Sequence, residues 1–278
     1  MNAATTRISN VFGHPCEVIR ARFGTMRFDR HFHDTFSIGI VTSGANVFSY
    51  RRKQVEVLAG STCIADPGEV HDGGLAGRPW SYANIFIPAG LFEALSREDG
   101  TDTEPVFALG KVTDRTSCAA VAAFFCALFA PEATEETMDE LAVSAFGRLL
   151  RCHAVDRPPT SRTDGRPMAK RAVEIMNDRH GKGVPLSLLA RETGLSRYGV
   201  IRAVSSAVGL TPVAYMIQLR VVRAKALIHA GMPLAEAALE AGFADQPHMT
   251  RAMKRHWGIT PGGVKKGRTE TAQVTSIR

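Results

Sequence analysis

The sequence predicts an α+β chain of two domains: an N-terminal antiparallel β-barrel with trailing helices, and a C-terminal all-α domain with two helix-turn-helix units. Three observations predict it. The C-terminal part repeats itself, Gly194-Leu195-Ser196, a helical run and Gly209-Leu210-Thr211-Pro212 being echoed by Gly242-Phe243-Ala244-Asp245, another run and Gly258-Ile259-Thr260-Pro261, at an offset of 48 to 49 residues. Short strand-like runs separated by turn residues fill the stretch from Val18 to Pro88, as in a sandwich or barrel. Charge divides the same way: residues 1–165 hold 16 Lys+Arg against 20 Asp+Glu, and residues 166–278 hold 18 against 7. A chain of this length holds about two domains, and the positive excess in the repeated part would attract a polyanion in a salt-dependent manner.

In chain order, Phe36 to Thr42, Val47 to Tyr50, Val55 to Leu58, Ser61 to Ala65 and Tyr82 to Pro88 read as strands, with turns at Thr42-Ser43-Gly44, Ala59-Gly60 and Pro67-Gly68. From Thr116 to Ala130 and from Glu135 to Ala154 the chain becomes Ala- and Leu-rich at helical spacing. These helices are expected to cover a barrel face or to pair with a second subunit, making the protein a homodimer. The domain running to residue 155 is followed by a linker over 156–167, rich in proline and charge and without large apolar residues inside it.

The C-terminal domain, 168–267, begins with a helix from Met168 to His180, stopped by Gly181-Lys182-Gly183. Pro185 then enters Leu186 to Thr193, with Leu186, Leu189, Ala190 and Leu195 inward, and Ser196 is the expected N-cap of the next helix. There Val200, Ala203 and Val204 face inward, which leaves Arg197, Tyr198, Ile201, Arg202 and Ser205 outside. Pro212 opens a long connecting helix to about Ala230 whose apolar stripe reads Val213, Tyr215, Met216, Leu219, Val222, Ala226 and Leu227. In the second unit Leu234, Ala237, Ala238 and Phe243 pack inward, Asp245 caps, and Met249, Ala252, Met253 and Trp257 bury the last helix, leaving Gln246, His248, Thr250, Arg251, Lys254 and Arg255 outside. Residues 268–278 read as a flexible tail.

The outward residues have the chemistry of groove reading. Arginine donates two hydrogen bonds to guanine, glutamine pairs with adenine, and apolar groups touch the thymine methyl. Arg202 and Arg251, at matching positions of the two copies, are candidates for base contact, and Arg197, Arg220, Lys254 and Arg255 suit phosphate.

On these residues, from about Met168 to Gly267, the chain resembles the DNA-binding domain of the AraC/XylS family of bacterial transcription regulators. The pattern A-x-x-x-G-F-x-x-Q-x-H-x-x-R-x-x-K-x-x-x-G-x-x-P is met by Ala238, Gly242, Phe243, Gln246, His248, Arg251, Lys254, Gly258 and Pro261. The resemblance implies seven helices, with two helix-turn-helix units inserted into adjacent major grooves about 34 Å apart. It departs from the family at Val204, Met249 and Met253, where Phe is commoner, and at Gly199, which weakens the first recognition helix by about 1 kcal/mol.

The N-terminal run His31-Phe32-His33-Asp34, with Pro67-Gly68-Glu69-Val70-His71-Asp72, resembles the cupin-type sensory domain attached to many members of that family. This implies a small-molecule effector between the sheets, with His31, His33, Glu69, His71, Trp80 and Tyr82 as candidate lining. The three histidines also resemble the ligands of metal-binding cupins, but Thr35, Phe36, Ser37 and Ile38 stand where the enzymes place a glutamate. The expectation is therefore no metal, no cofactor and no catalytic residue, the histidines lining the effector pocket or serving as hydrogen-bonded residues at strand ends. Two further readings stay open: a metal-dependent cupin enzyme or metal sensor tethered to DNA, and an effectorless constitutive regulator. RNA polymerase is a possible partner.

Cys16, Cys63, Cys118, Cys126 and Cys152 are odd in number, lack C-x-x-C spacing and read as small core residues of a protein in a reducing compartment. With no apolar run long enough for a membrane span and no leader-like N-terminus, the expected location is the cytoplasm.

Overall fold

The structure, a computed structural model, describes residues 3–74, 77–98, 105–131, 133–156, 167–180 and 183–265. The described residues divide into two compact units, residues 3–28 and 32–156 in one and residues 167–265 in the other, which also takes in residues 29–31 of the third strand. Most of the expected linker, the 268–278 tail and the Gly181-Lys182 stop lie outside the described residues.

The N-terminal unit opens with strands β1 (Ala3–Val11) and β2 (His14–Phe23). Their hairpin turns on Phe12 at φ 50° and Gly13 at φ 71°, two left-handed residues that match the twist of the flanking strands. Then follow β3 (Phe28–His31), β4 (Thr35–Ser43), β5 (Ala45–Tyr50), β6 (Lys53–Leu58), β7 (Thr62–Ala65), β8 (His71–Gly73), β9 (Trp80–Pro88), α1 (Ala89–Glu98), β10 (Pro105–Val106) and β11 (Lys111–Val112). The unit closes with α2 (Arg115–Phe129), α3 (Glu135–Ala142), a π turn over Val143–Gly147, α4 (Arg148–His153) and β12 (Val155–Asp156). The strands form a six-stranded sheet in the order β1-β2-β9-β4-β7-β11, a four-stranded sheet β3-β8-β5-β6, and the short pair β10-β12.

The two larger sheets share a core in which Val41 and Ala65 of one pack with Phe48, Tyr50, Val55 and Val57 of the other. A larger core joins the six-stranded sheet to the helices, where Ile38, Ile85 and Ile87 meet Phe92, Val121, Phe124, Phe146 and Leu149. Helices α2 to α4 therefore spend their apolar stripes on their own sheet. Asp114 caps α2 by accepting from Ser117 N–H at 2.9 Å and also receives His153 Nε2 at 2.7 Å, while Arg148 Nε donates to Ser117 Oγ at 3.0 Å. Cys16 and Cys118 are buried as expected, but Cys126 and Cys152 are exposed and are not core residues. They fall on the outer faces of their helices, which an Ala-rich neighbourhood does not reveal.

The C-terminal unit contains α5 (Pro167–Asp178), α6 (Leu186–Thr193), α7 (Arg197–Val208), α8 (Pro212–His229), α9 (Leu234–Glu240) and α10 (Gln246–Trp257). A further helical turn over 261–265 is capped by Thr260 Oγ1, which accepts from Gly263 N–H at 3.2 Å. The connecting helix α8 has a different inward face from the expected one. Val213 is 61% exposed and Ala226 is also outside, whereas Gln218, Val221, Ala224 and Ile228 are buried beside Tyr215 and Met216. Apolar residues lie all round this helix, so their spacing alone does not fix its phase. Among the described residues, no single helix is long and apolar enough to cross a membrane.

Candidate nucleic-acid interface and effector site

Both helix-turn-helix units are set by the same local devices. In the first, α6 ends at Gly194 with φ 68° and Ser196 Oγ accepts from Gly199 N–H at 3.0 Å, so α7 starts at Arg197. Only glycine takes that left-handed backbone without strain, and the capping oxygen satisfies a donor the helix cannot. Thr193 adds a bond the sequence did not flag, donating to the Leu189 carbonyl at 2.7 Å. Val200 and Val204 point into the core, which leaves Arg197, Tyr198, Ile201 and Arg202 exposed. Tyr198 is 68% exposed, and the Arg202 guanidinium lies 5.8 Å from its ring centroid, so one turn of α7 presents an aromatic and a cation together.

In the second unit Gly242 turns the chain at φ 90° and Asp245 Oδ1 accepts from His248 N–H at 2.6 Å, opening α10. Met249, Ala252, Met253 and Trp257 are buried as their spacing predicts, and His256 is buried with them. Burial pulls the His256 imidazole below its ordinary pKa. Gln246, Arg251, Lys254 and Arg255 are exposed. His248 and Thr250 are only half exposed: the His248 ring packs edge-on against Phe243 at 5.2 Å, and Thr250 Oγ1 donates back to the Gln246 carbonyl at 2.9 Å. Arg220 lies on neither α7 nor α10 but half buried on α8, where burial lowers its pKa.

At β3 and β8 the structure gathers part of the expected effector lining. His31, His33 and His71 are 4%, 6% and 8% exposed, and one ring nitrogen of each lies within 4.8 Å of the others. His31 Nδ1 is 2.7 Å from the Asp29 carbonyl and His71 Nδ1 is 2.8 Å from the Glu69 carbonyl. The His33 ring stands 5.1 Å from that of His71 and 4.7 Å from that of Phe86. Burial lowers the pKa of His71, its bond to the Glu69 carbonyl and the charges of Asp72 and Glu69 opposing the shift.

Glu69 turns elsewhere, its Oε2 lying 3.8 Å from Arg51 Nε. Trp80 and Tyr82 form a separate aromatic group with Phe23 and Phe28, at centroid distances of 5.3 Å for Phe23–Trp80, 4.9 Å for Trp80–Tyr82 and 5.0 Å for Phe23–Phe28. Trp80 Nε1 is buried without a hydrogen-bond partner.

The loop that carries His71 is fixed by a network the sequence reading missed. Asp66 Oδ2 receives Arg51 Nη2 at 2.6 Å and Tyr50 Oη at 2.8 Å, and Asp66 Oδ1 accepts from Phe107 N–H at 3.0 Å. Burial raises the Asp66 pKa, with the Phe107 amide, Tyr50 and Arg51 opposing the shift. Two residues on, Gly68 N–H donates to the His33 carbonyl at 2.7 Å.

Two family descriptions match the chain, an AraC-like ligand binding domain over residues 14–150 and a helix-turn-helix domain over residues 189–267. The HTH-type transcriptional regulator YbfI of Bacillus subtilis is 27% identical over 235 residues, 84% of this chain and 85% of that protein. The transcriptional activator RhaS of Salmonella arizonae is 22% identical over 267 residues, 92% and 94% of the two chains. Among solved structures, ToxT from Vibrio cholerae O395 superposes with a TM-score of 0.53 at 11% identity, over 96% of this chain and 98% of that one. That likeness concerns the two-part fold.

Proposed function

The chain belongs to the AraC family of transcriptional regulators, and from that premise we propose that α7 and α10 are its two recognition helices and that a small molecule held in the N-terminal domain controls them. Arg202 and Arg251 read bases in successive major grooves. Tyr198, Ile201 and Gln246 flank them in the grooves, with His248 and Thr250 at the edge, and Arg197, Arg220, Lys254 and Arg255 hold phosphate. The observation that carries this reading is the repeat of the backbone itself. Each recognition helix follows a left-handed glycine, starts at a side-chain cap, and exposes an arginine six residues after that cap. The connecting helix of 18 residues, rising about 1.5 Å per residue, gives a rigid spacer between the units.

A ToxT structure holds an unsaturated fatty acid, and residues 14–150 of this chain match an AraC-like ligand binding domain; together these support control by a small molecule. The relatives are regulators, and that kinship supports a non-enzymatic role. A homodimer through residues 116–154 rested on apolar stripes that pack within the unit; sedimentation at micromolar concentration tests it on its own.

The deciding experiment is binding of the full-length protein to its own upstream intergenic DNA and to a scrambled duplex across a salt series. A preference for the native duplex that survives moderate salt supports the reading. Equal and steeply salt-sensitive affinity for both, with or without cell extract as an effector source, contradicts it.

A further inference from the structure

The geometry points to a further ligand site on the six-stranded sheet, where Arg20 and Arg22 hold a phosphate dianion, free or carried as a monoester. The site goes beyond the control proposed above and lies apart from the expected effector lining. Trp80 and Tyr82 flank Ser81 on β9 and so leave that strand on the side opposite to it.

Strand register builds the site. Arg20 and Arg22 are two apart on β2, so both leave it on one face. Thr5 of β1 pairs with Arg20, Ser81 of β9 with Arg22, and Ser43 of β4 with Ser81, and register partners share a face. Plain alternation would turn Ser43 away from Thr42, but the β4–β9 pairing slips between Val41 and Ser43. That bulge brings Thr42 and Ser43 to the same side. These residues, with Ala4 and Ala21, line an open cavity of about 340 Å³. The Arg20 guanidinium lies 5.5 Å from the ring centroid of Phe129 and that of Arg7 lies 4.9 Å from it. Phe129 ends α2, so the face is the one the helices cover.

The positive charge there is uncompensated. Residues 1–165 carry 16 Lys+Arg against 20 Asp+Glu, yet no carboxylate lines the cavity among the described residues. Neither Arg20 nor Arg22 forms an ion pair with a described residue. The Phe129 ring places the Arg20 cation before any ligand arrives, and Thr5 Oγ1 ties the wall together by donating to the Arg20 carbonyl at 3.3 Å. The hydroxyls of Thr42, Ser43 and Ser81 bond to none of the described residues, which leaves them to donate to an oxyanion.

Donor type sets the class of ligand. Guanidinium groups bind carboxylate and phosphate oxygens through paired N–H bonds. A phosphate group carries about −1.5 to −2 charges at neutral pH, and so balances both arginines from a single centre. Arg20 and Arg22 stand about 7 Å apart along β2, a span their long side chains close on one tetrahedral group, with the hydroxyls completing its shell. A single carboxylate, or a DNA phosphodiester with its one charge, leaves one guanidinium without a counter-charge.

The test uses full-length protein freed of phosphate and titrated calorimetrically with inorganic phosphate, glucose 6-phosphate and ribose 5-phosphate, with glucose, ribose and succinate as controls. The expected result is saturable binding of a phosphate probe with a dissociation constant below ~1 mM, no heat from the bare sugars, and a rise in melting temperature with that probe. Arg20→Gln and Arg22→Gln should each weaken binding by about tenfold or more. Both side chains are exposed, and Ser43→Asp, which sets a carboxylate beside them, should weaken it independently. Equal affinity for inorganic phosphate and both esters identifies free phosphate as the ligand, and tighter binding of an ester identifies a phosphorylated metabolite. No saturation by any phosphate probe up to ~10 mM, or equal binding by wild type and all three variants, overturns the site. Succinate binding as tightly as phosphate overturns the assignment of class. A loss in the arginine variants confined to duplex DNA overturns it too, and would give both side chains to the nucleic-acid backbone.

Discussion

Tyr50 and His71 are register partners across β5 and β8, so their side chains leave the sheet on the same side, and the Tyr50 hydroxyl that secures Asp66 stands next to the strand position that supplies the third imidazole. The Asp66 network and the histidine cluster are thus mechanically one assembly. Gly110, at φ 68°, sits so close to the Tyr50 ring that a Cβ there would come within 2.6 Å of it, which holds the ring in place from the other side.

Tyr50→Phe is expected to destabilise the N-terminal domain by about 1–3 kcal/mol, because Asp66 is buried and loses one of its donors. Urea denaturation followed by the fluorescence of Trp80 measures it. An unchanged midpoint would mean that Arg51 and the Phe107 amide hold the carboxylate without help.

Arg202→Ala and Arg251→Ala should each weaken binding to the cognate site by about 1–3 kcal/mol and relax base preference at one position per half-site. Competition against a panel of single-base variants reads the preference directly. Equal losses on cognate and random DNA would reassign both arginines to phosphate.

Stability of the N-terminal domain should fall as pH drops below about 6.5. Burial lowers the folded-state pKa of His71, so the contribution of its neutral ring is complete above the unfolded value and is lost as pH falls toward and through the folded one. One proton taken up on unfolding gives a slope of at most about 1.4 kcal/mol per pH unit. Denaturant midpoints between pH 8 and pH 5.5, in chelator, should show a shallower slope for His71→Gln. Identical slopes would place the titration elsewhere.

The C-terminal unit was legible because its signals are local. Ser196 and Asp245 cap where the sequence reading places them, Thr211 and Thr260 add caps it did not name, and glycine stands at the left-handed positions between them. The phase of α8 was not, because both its faces are apolar and tertiary packing chose Val221, Ala224 and Ile228 over Val213 and Ala226. Strands β1, β3 and β8, the first half of β2 and helix α1 also escaped the sequence reading: Phe12-Gly13 is a weak hairpin signal beside Asn-Gly, and α1 starts directly after β9 without a separating turn. His31, His33 and His71 were singled out by type, but the bonds that orient them run to backbone carbonyls, and nothing in residue type announces those. Asp66, whose partners lie 15, 16 and 41 positions away, had no local signature at all.

The π turn at Val143–Gly147 settles which way the last helical segment of the N-terminal unit faces. Met138, Ala142, Phe146 and Leu150 are all buried, yet residues four apart on an unbroken α-helix drift about 40° round its axis at each step. The widened turn takes back part of that drift, and all four residues stay in one core. It also directs Arg148 and His153 to Ser117 and Asp114 at the head of α2. Deleting one residue between 143 and 147 would restore regular hydrogen bonding while swinging everything after it by about 100°, exchanging Leu149 and Leu150 for solvent-facing neighbours and pulling a cation and an imidazole off the capping aspartate. A shorter, more regular helix here would be a differently addressed one.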